Sequence, residues 1–263
     1  MRITPRRIRS KLESGDKAYG IAVQLPSPEI VEAVGYVGYD FAWIDAEHGA
    51  FDFSDMRELI RAADAVGIDS LIRVAGHDPT AIQHALDLGA TGIIAPDIRD
   101  VRQIRAIISA AHFAPVGTRG ACPCGRAVGH LSHDWSSDYR QMDADVLIFG
   151  IIEHPVGVDN VELIAHEGGL DGLMFGPFDL AMYLGLGDDI AHPDIEEMHN
   201  RVIQATRAAG IEYVTPNAAW ESDLDATGSR IIPVGGDRAA LVSTLMRLLA
   251  ESSGRPMPAT AIA

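Results

Sequence analysis

An apolar run, Phe41-Ala42-Trp43-Ile44, stops at Asp45 and is followed at once by Glu47 and His48, so the stretch IDAEHGAFD sets ionisable side chains where a buried strand would end. Three more apolar runs finish alike: LIRVAG in Arg73, FGIIEHP in Glu153 and, through GPFDL, the last in Asp179. Two carboxylates without clustered cysteine or histidine make a hard oxygen site, suited to Mg2+, Mn2+ or a similar divalent ion, and Glu153 and Asp179 are the candidate ligands. Such an ion polarises a 2-oxo acid through its keto and carboxylate oxygens. Arg73 would stabilise negative charge developing on an enolate oxygen, and the imidazole of His48 suits proton transfer near neutral pH. Backbone amides of the turn Gly176-Pro177-Phe178-Asp179, leading into a helix, could hold a substrate carboxylate. Taken singly, each residue has an ordinary explanation as a helix cap, a surface ion pair or a hydrogen-bonded loop residue. Their recurrence at four strand ends is what points to one site.

Bringing four strand ends to one rim requires a particular architecture. The apolar runs predict strands at 18–24, 41–46, 70–74, 92–96, 145–153, 171–176, 211–215 and 230–234, mostly continuous and therefore covered on both faces. Helical patterns lie between them at 27–37, 53–66, 79–88, 98–111, 157–168, 193–209 and 237–250, and Gly67, Gly89 and Gly210 stand where helices end. This alternation predicts a single (β/α)8 barrel spanning 1–263, in which chemistry sits at the carboxyl ends of the strands. An open doubly wound sheet is the competing arrangement, but neither G-x-G-x-x-G nor G-x-x-x-x-G-K-[ST] is present. The irregular segment 112–144, with Pro115, Gly117, Gly120, Pro123 and Gly125, reads as an active-site loop with a short helix.

A length of 263 residues with 47% hydrophobic and 22% charged residues supports a sizeable core. The net charge of −16, with no basic cluster beyond RRIRSK at the start, argues against nucleic acid and anionic membrane as partners. No apolar run reaches the ~20 residues of a membrane span and no signal pattern opens the chain, so a cytoplasmic location is expected. Cys122 and Cys124 are too close for an unstrained mutual disulfide and lack further ligands for a soft metal.

The motifs IDAEHG, RVAGHDP, ALDLGATGIIAPDI, GTRG, IIEHPVGVDN and GPFDLAMYLG occur in the order and spacing of the HpcH/HpaI family of metal-dependent class II pyruvate aldolases, which the chain resembles over about residues 18–240. The resemblance implies a barrel whose C-terminal helix is exchanged between subunits of a homo-oligomer, a hexamer or trimer of dimers. It also implies aldol chemistry joining a 2-oxo acid of the pyruvate type and an aldehyde with Mg2+, Mn2+ or Co2+. On matching positions, Glu153 and Asp179 look like metal ligands, His48 like the catalytic base and Arg73 like the enolate stabiliser. Asp87 matches the aspartate that raises the basicity of that histidine, although it ends a helix and belongs near the opposite rim. A neighbouring subunit delivering it, or plain helix capping, are the two readings, and Asp45 is the local alternative. Three departures mark the substrate side: Ile151 replaces the usual glutamine that contacts substrate, Phe178 replaces a small residue in GP[AS]D, and ACPC at 121–124 replaces GVGS. The same enolate could also serve oxaloacetate decarboxylation or a CoA-ester lyase, and a non-catalytic ligand-binding member is the remaining reading.

Overall fold

Eight strands close into an all-parallel barrel in chain order, β1 (Ala18–Val23), β2 (Phe41–Asp45), β3 (Asp69–Arg73), β4 (Gly92–Ala95), β5 (Leu147–Ile152), β6 (Gly172–Phe175), β7 (Glu212–Val214) and β8 (Ile231–Gly236), with β8 pairing back onto β1. The computed structural model describes residues 6–216 and 224–254. The predicted barrel is thus the observed one, and the strand positions agree to within a residue or two. Its helices are α1 (Arg7–Ser14), α2 (Pro28–Val37), α3 (Phe53–Val66), α4 (Pro79–Asp87), α5 (Val101–Ala111), α6 (Trp135–Asp145), α7 (Pro155–Asp159), α8 (Val161–Ala165), α9 (Pro177–Tyr183), α10 (Pro193–Ala209), α11 (Leu224–Thr227) and α12 (Asp237–Ser253). The continuous helix expected over 157–168 is two short ones, because Asn160 leaves helical geometry and its amide donates to the Arg99 carbonyl at 2.9 Å.

The period-two alternation of the strands sorts side chains into two layers. Phe41, Trp43, Leu71, Ile94, Phe149, Ile151 and Met174 fill the barrel interior. Ala42, Ile44, Ile72, Ile93, Ile148, Ile152 and Phe175 face outward under the helices. Because Asp45, Arg73 and Glu153 follow Trp43, Leu71 and Ile151 by two residues, all three continue the inward column and emerge at its top. The alternation that builds the core therefore also aims the site.

The opposite end is stoppered by α1. Ile8 is fully buried inside the barrel, an insertion worth ~2 kcal/mol for a side chain of this size, and its N–H donates to the buried Asp69 carboxylate at 2.8 Å. The flanking arginines clasp the rim: Arg6 lies 3.0 Å from Asp145, and Arg9 reaches Asp171 at 3.2 Å and the Val146 carbonyl at 2.7 Å. The basic start RRIRSK is thus a plug held by carboxylates.

The segment 112–144 does not line the site of its own chain. It carries a short 3-10 turn and α6, and it packs against helix C-termini: Arg119 reaches Asp87 at 2.7 Å, while Arg126 reaches Asp64 at 2.6 Å and the Leu88 carbonyl at 2.7 Å. The reason is topological, since a segment between a helix and the next strand lies on the barrel's amino-terminal face, and only strand-to-helix connections reach the other rim.

The last helix stands apart from the layering. Asp237 anchors it by accepting the N–H groups of Gln24 and Leu25 at 3.0 and 2.9 Å. Beyond that anchor no residue of α12 is buried, and Leu241, Val242, Leu245, Leu248 and Leu249 all stand exposed. No helix among the described residues is long and apolar enough to cross a membrane.

Candidate active site

The site begins with Asp45, the last residue of β2, which is buried and fully employed. Its carboxylate accepts from Arg73 Nε at 2.8 Å and Nη2 at 2.5 Å, and from Gln24 Nε2 at 2.7 Å. It also accepts the main-chain N–H groups of Glu47 and His48, both at 3.2 Å, and so shapes the turn that carries them. Burial alone would raise this carboxyl, but Arg73's hydrogen bonds and charge, with Gln24 and the His48 N–H, hold it below the ordinary range. Asp45 therefore contacts the backbone of His48 and not its imidazole.

Arg73 is held on three sides. Asp45 takes its Nε edge, Glu47 lies 3.2 Å from Nη1, and its plane lies over the Trp43 ring with 5.1 Å to the centroid. Asp45 takes two of the five N–H donors of the guanidinium by hydrogen bonds, and the others, on Nη1 and Nη2, remain for a ligand beside Glu47. Glu47 has its own carboxyl lifted by burial against the pull of Arg73 and His48, with Asp45 and Asp179 adding to the lift. The imidazole of His48 is exposed at the mouth, with Nε2 3.8 Å from Glu47.

Glu153 follows β5 and is buried beside Gly176. Its Oε1 accepts the Asp97 N–H at 2.7 Å, while Oε2 has no hydrogen-bond partner among the described residues. Burial, with the charges of Asp179 and Glu47, lifts this carboxyl to about 7 against the opposing Asp97 N–H and Arg73. Asp179, in the first turn of α9, is exposed and accepts no hydrogen bond among the described residues, and its charge is felt at both Glu153 and Glu47.

These residues fit a divalent cation. A Cβ on Gly176 would fall 2.4 Å from Glu153 Cβ and 2.8 Å from Oε2, so the missing side chain leaves room exactly where the unengaged oxygen sits close to the turn into α9. Uncommitted carboxylate oxygens under mutual repulsion suit a hard ion that neutralises them. Among the described residues no group of three or more His, Cys, Asp and Glu is arranged around one point, so a cation here would depend on two carboxylates with water and substrate.

Of the sequence-derived residues, the structure brings Asp45, His48, Arg73, Glu153 and Asp179 to one rim, with Gly176, Pro177 and Phe178 in the turn beside them. Ile151 is buried below Glu153, its Cγ2 3.3 Å from where a Gly176 Cβ would sit. Asp87 is not brought to this rim: it ends α4 and takes Arg119 at 2.7 Å and Gln83 at 3.4 Å. Reading strand ends for charge alone passes over Gln24, which closes β1 and would have been found by extending the rule to amides. Asp97 has no sequence signal, because its contribution is a main-chain N–H. Among the other histidines, His199 meets the Tyr213 hydroxyl at 2.6 Å and His154 caps α7.

Residues 19–244 match the family described as HpcH/HpaI aldolase/citrate lyase. The chain belongs to this family. Among HpcH/HpaI relatives, the 2-dehydro-3,6-dideoxy-6-sulfogluconate aldolase of Pseudomonas putida is 33% identical over 235 residues, covering 88% of this chain and 91% of the relative. The hydroxypyruvate/pyruvate aldolase of Roseobacter denitrificans is 30% identical, covering 90% of this chain and 93% of its own. A solved structure of an HpcH/HpaI aldolase/citrate lyase family protein from Burkholderia cenocepacia superposes with a TM-score of 0.87 at 30% identity, covering 94% of this chain and 99% of that one. The relatives are lyases by name, which agrees with the chemistry expected from the strand ends.

Proposed function

We infer that the chain is a divalent-metal-dependent aldolase, making or breaking the carbon–carbon bond beside the enolate of a pyruvate-type 2-oxo acid, with an aldehyde as second partner. The observation that carries this reading is the convergence of Glu153, with one oxygen unengaged, and Asp179 on the rim where Arg73 is already locked by Asp45. Glu153 and Asp179 would hold the ion, which when bound supplies Lewis-acid polarisation of a 2-oxo acid. Arg73 offers its remaining N–H donors to the oxygen on which negative charge develops, and its fixed fork costs little reorganisation. His48 takes the proton of the aldol hydroxyl in cleavage and returns it in synthesis. The turn Gly176–Asp179 is assigned to the substrate carboxylate, and Phe178 borders the aldehyde side.

A second copy of the chain completes the site in this reading. The bare apolar face of α12 needs a partner, which supports its exchange between subunits of a homo-oligomer. Asp87 and the 112–144 segment, which lie on the face opposite the rim of their own chain, would then serve a neighbour's His48 and aldehyde pocket.

The relatives' names support pyruvate and hydroxypyruvate as donors to try first. Exchange of the pyruvate methyl protons into D2O, followed by NMR, tests the reading. Exchange is expected only with Mg2+, Mn2+ or Co2+ added and is expected to vanish in Glu153→Gln. Exchange without metal, or none with it, removes the aldolase assignment. Decarboxylation of oxaloacetate without condensation on any aldehyde would move the chain to the neighbouring chemistry.

A further inference from the structure

Asp97 is a non-glycine residue with φ +51, and the cause lies in where its neighbours' polar groups must go. The Ile98 N–H donates to the Ile151 carbonyl at 3.0 Å, and the Asp97 N–H donates to Glu153 Oε1 at 2.7 Å. Both donors therefore point toward β5 and its continuation. Successive N–H groups of an extended chain point to opposite sides, and a left-handed residue between them is a way to turn both to one side. Aspartate tolerates that conformation better than most side chains, though at a cost in strain that the surroundings must hold.

The holding element is Arg99. Its Nε and Nη2 grip the two Asp97 carboxylate oxygens, each at 2.8 Å, and Nη2 lies 3.3 Å from the Tyr183 hydroxyl, with the guanidinium over the Tyr183 ring at 5.9 Å. Tyr183 is one helical turn after Asp179 on α9, so the two share a face. Its ring also meets that of His154, the residue after Glu153, at 4.3 Å between centroids. One side chain thus spans from the loop fastened to Glu153 to the helix that carries Asp179.

We propose that Arg99, acting through Asp97 and Tyr183, is a positioning residue that sets the spacing of the Glu153 and Asp179 carboxylates and thereby the affinity of the site for a divalent cation. The inference rests on the metal-site reading above. It assigns no contact between Arg99 and the ion or the substrate.

Titration of the metal-free protein with Mn2+ by calorimetry tests it, with melting temperature measured on each variant. Arg99→Ala is expected to lower Mn2+ affinity by about tenfold, the usual scale for a group that orients a ligand. Asp97→Asn, which keeps the left-handed backbone but puts an amide donor where one acceptor of the fork stood, and Arg99→Lys, which cannot make the fork, should both fall between this and native affinity. Turnover at saturating Mn2+ should change by less than the affinity does. Glu153→Gln separates the two readings. If it binds Mn2+ as the native protein does, the metal site itself is wrong and this inference falls with it. If it loses binding while Arg99→Ala and Arg99→Lys keep native affinity, only the positioning role is overturned.

Discussion

Asp45 and Arg73 are register partners on adjacent parallel strands, and the carboxylate of one holds the guanidinium of the other by two hydrogen bonds of 2.8 and 2.5 Å. Register places them together before any ligand arrives, and the geometry is that of a preset electrostatic device. Arg73→Ala should lower kcat by about 10²–10³-fold, the scale of removing one donor from an oxyanion-type site, while Mn2+ affinity changes little. Steady-state kinetics and calorimetry on the same preparation check this. Equal losses in both would make Arg73 a structural support of the carboxylates.

The Glu153 carboxyl, lifted from 4.5 to about 7 chiefly by burial, gives a stability signature. Between those values the metal-free folded chain keeps a proton that the unfolded chain has released. The folded state binds more protons there, so its stability falls as pH rises through the window, by up to about 3 kcal/mol in all. A bound cation needs the ionised form, so apparent metal affinity should rise toward and through pH 7. Urea midpoints measured with chelator across this range, for the native protein and Glu153→Gln, isolate the effect as a difference. The variant should lack this decline and gain nothing from Mn2+, and parallel curves would contradict the assignment.

The barrel was legible because its strands are uninterrupted apolar runs ended by charge, and because parity along each run fixes which residues face in. Asp45, Arg73 and Glu153 were legible for the same reason. The composition of 112–144 did not say which barrel it faces, although its place after α5 and before β5 already puts it on the far face of its own. Asp97 was illegible in a deeper sense, since a main-chain N–H carries no residue identity. The employment of Asp45 by Arg73 needed strand register, which the apolar pattern does not specify to the residue.

Gly176 tests whether space beside Glu153 matters. Its φ of −108 suits any residue, so alanine would bring only its methyl group, 2.4 Å from Glu153 Cβ and 2.8 Å from Oε2. Because Glu153 Cβ is fixed to its backbone, the strand end and the carboxylate it carries must then shift together. Gly176→Ala should weaken Mn2+ binding by about 10–100-fold, with an overpacking cost of about 1–3 kcal/mol in urea unfolding. Native affinity in a folded Gly176→Ala protein would show that Oε2 is not where the ion needs it.

Asp87 sits with Arg119 on the far face of its own barrel, so a role beside His48 requires the neighbour's copy. Mixing two inactive proteins decides this. His48→Ala removes the base, and Asp87→Asn removes the charge while leaving Arg119 an acceptor, which avoids stranding a buried guanidinium. If each site takes His48 from one subunit and Asp87 from another, random reassembly of an equal mixture leaves about one site in four with both native residues, and activity should return to about that fraction. Subunits must first be dissociated and remixed, with native mass spectrometry confirming mixed oligomers. Mixed oligomers without recovered activity would confine Asp87 to holding Arg119 and Gln83, and the partner of the His48 imidazole would then have to come from Glu47, whose carboxylate is 3.8 Å from Nε2 within the same chain.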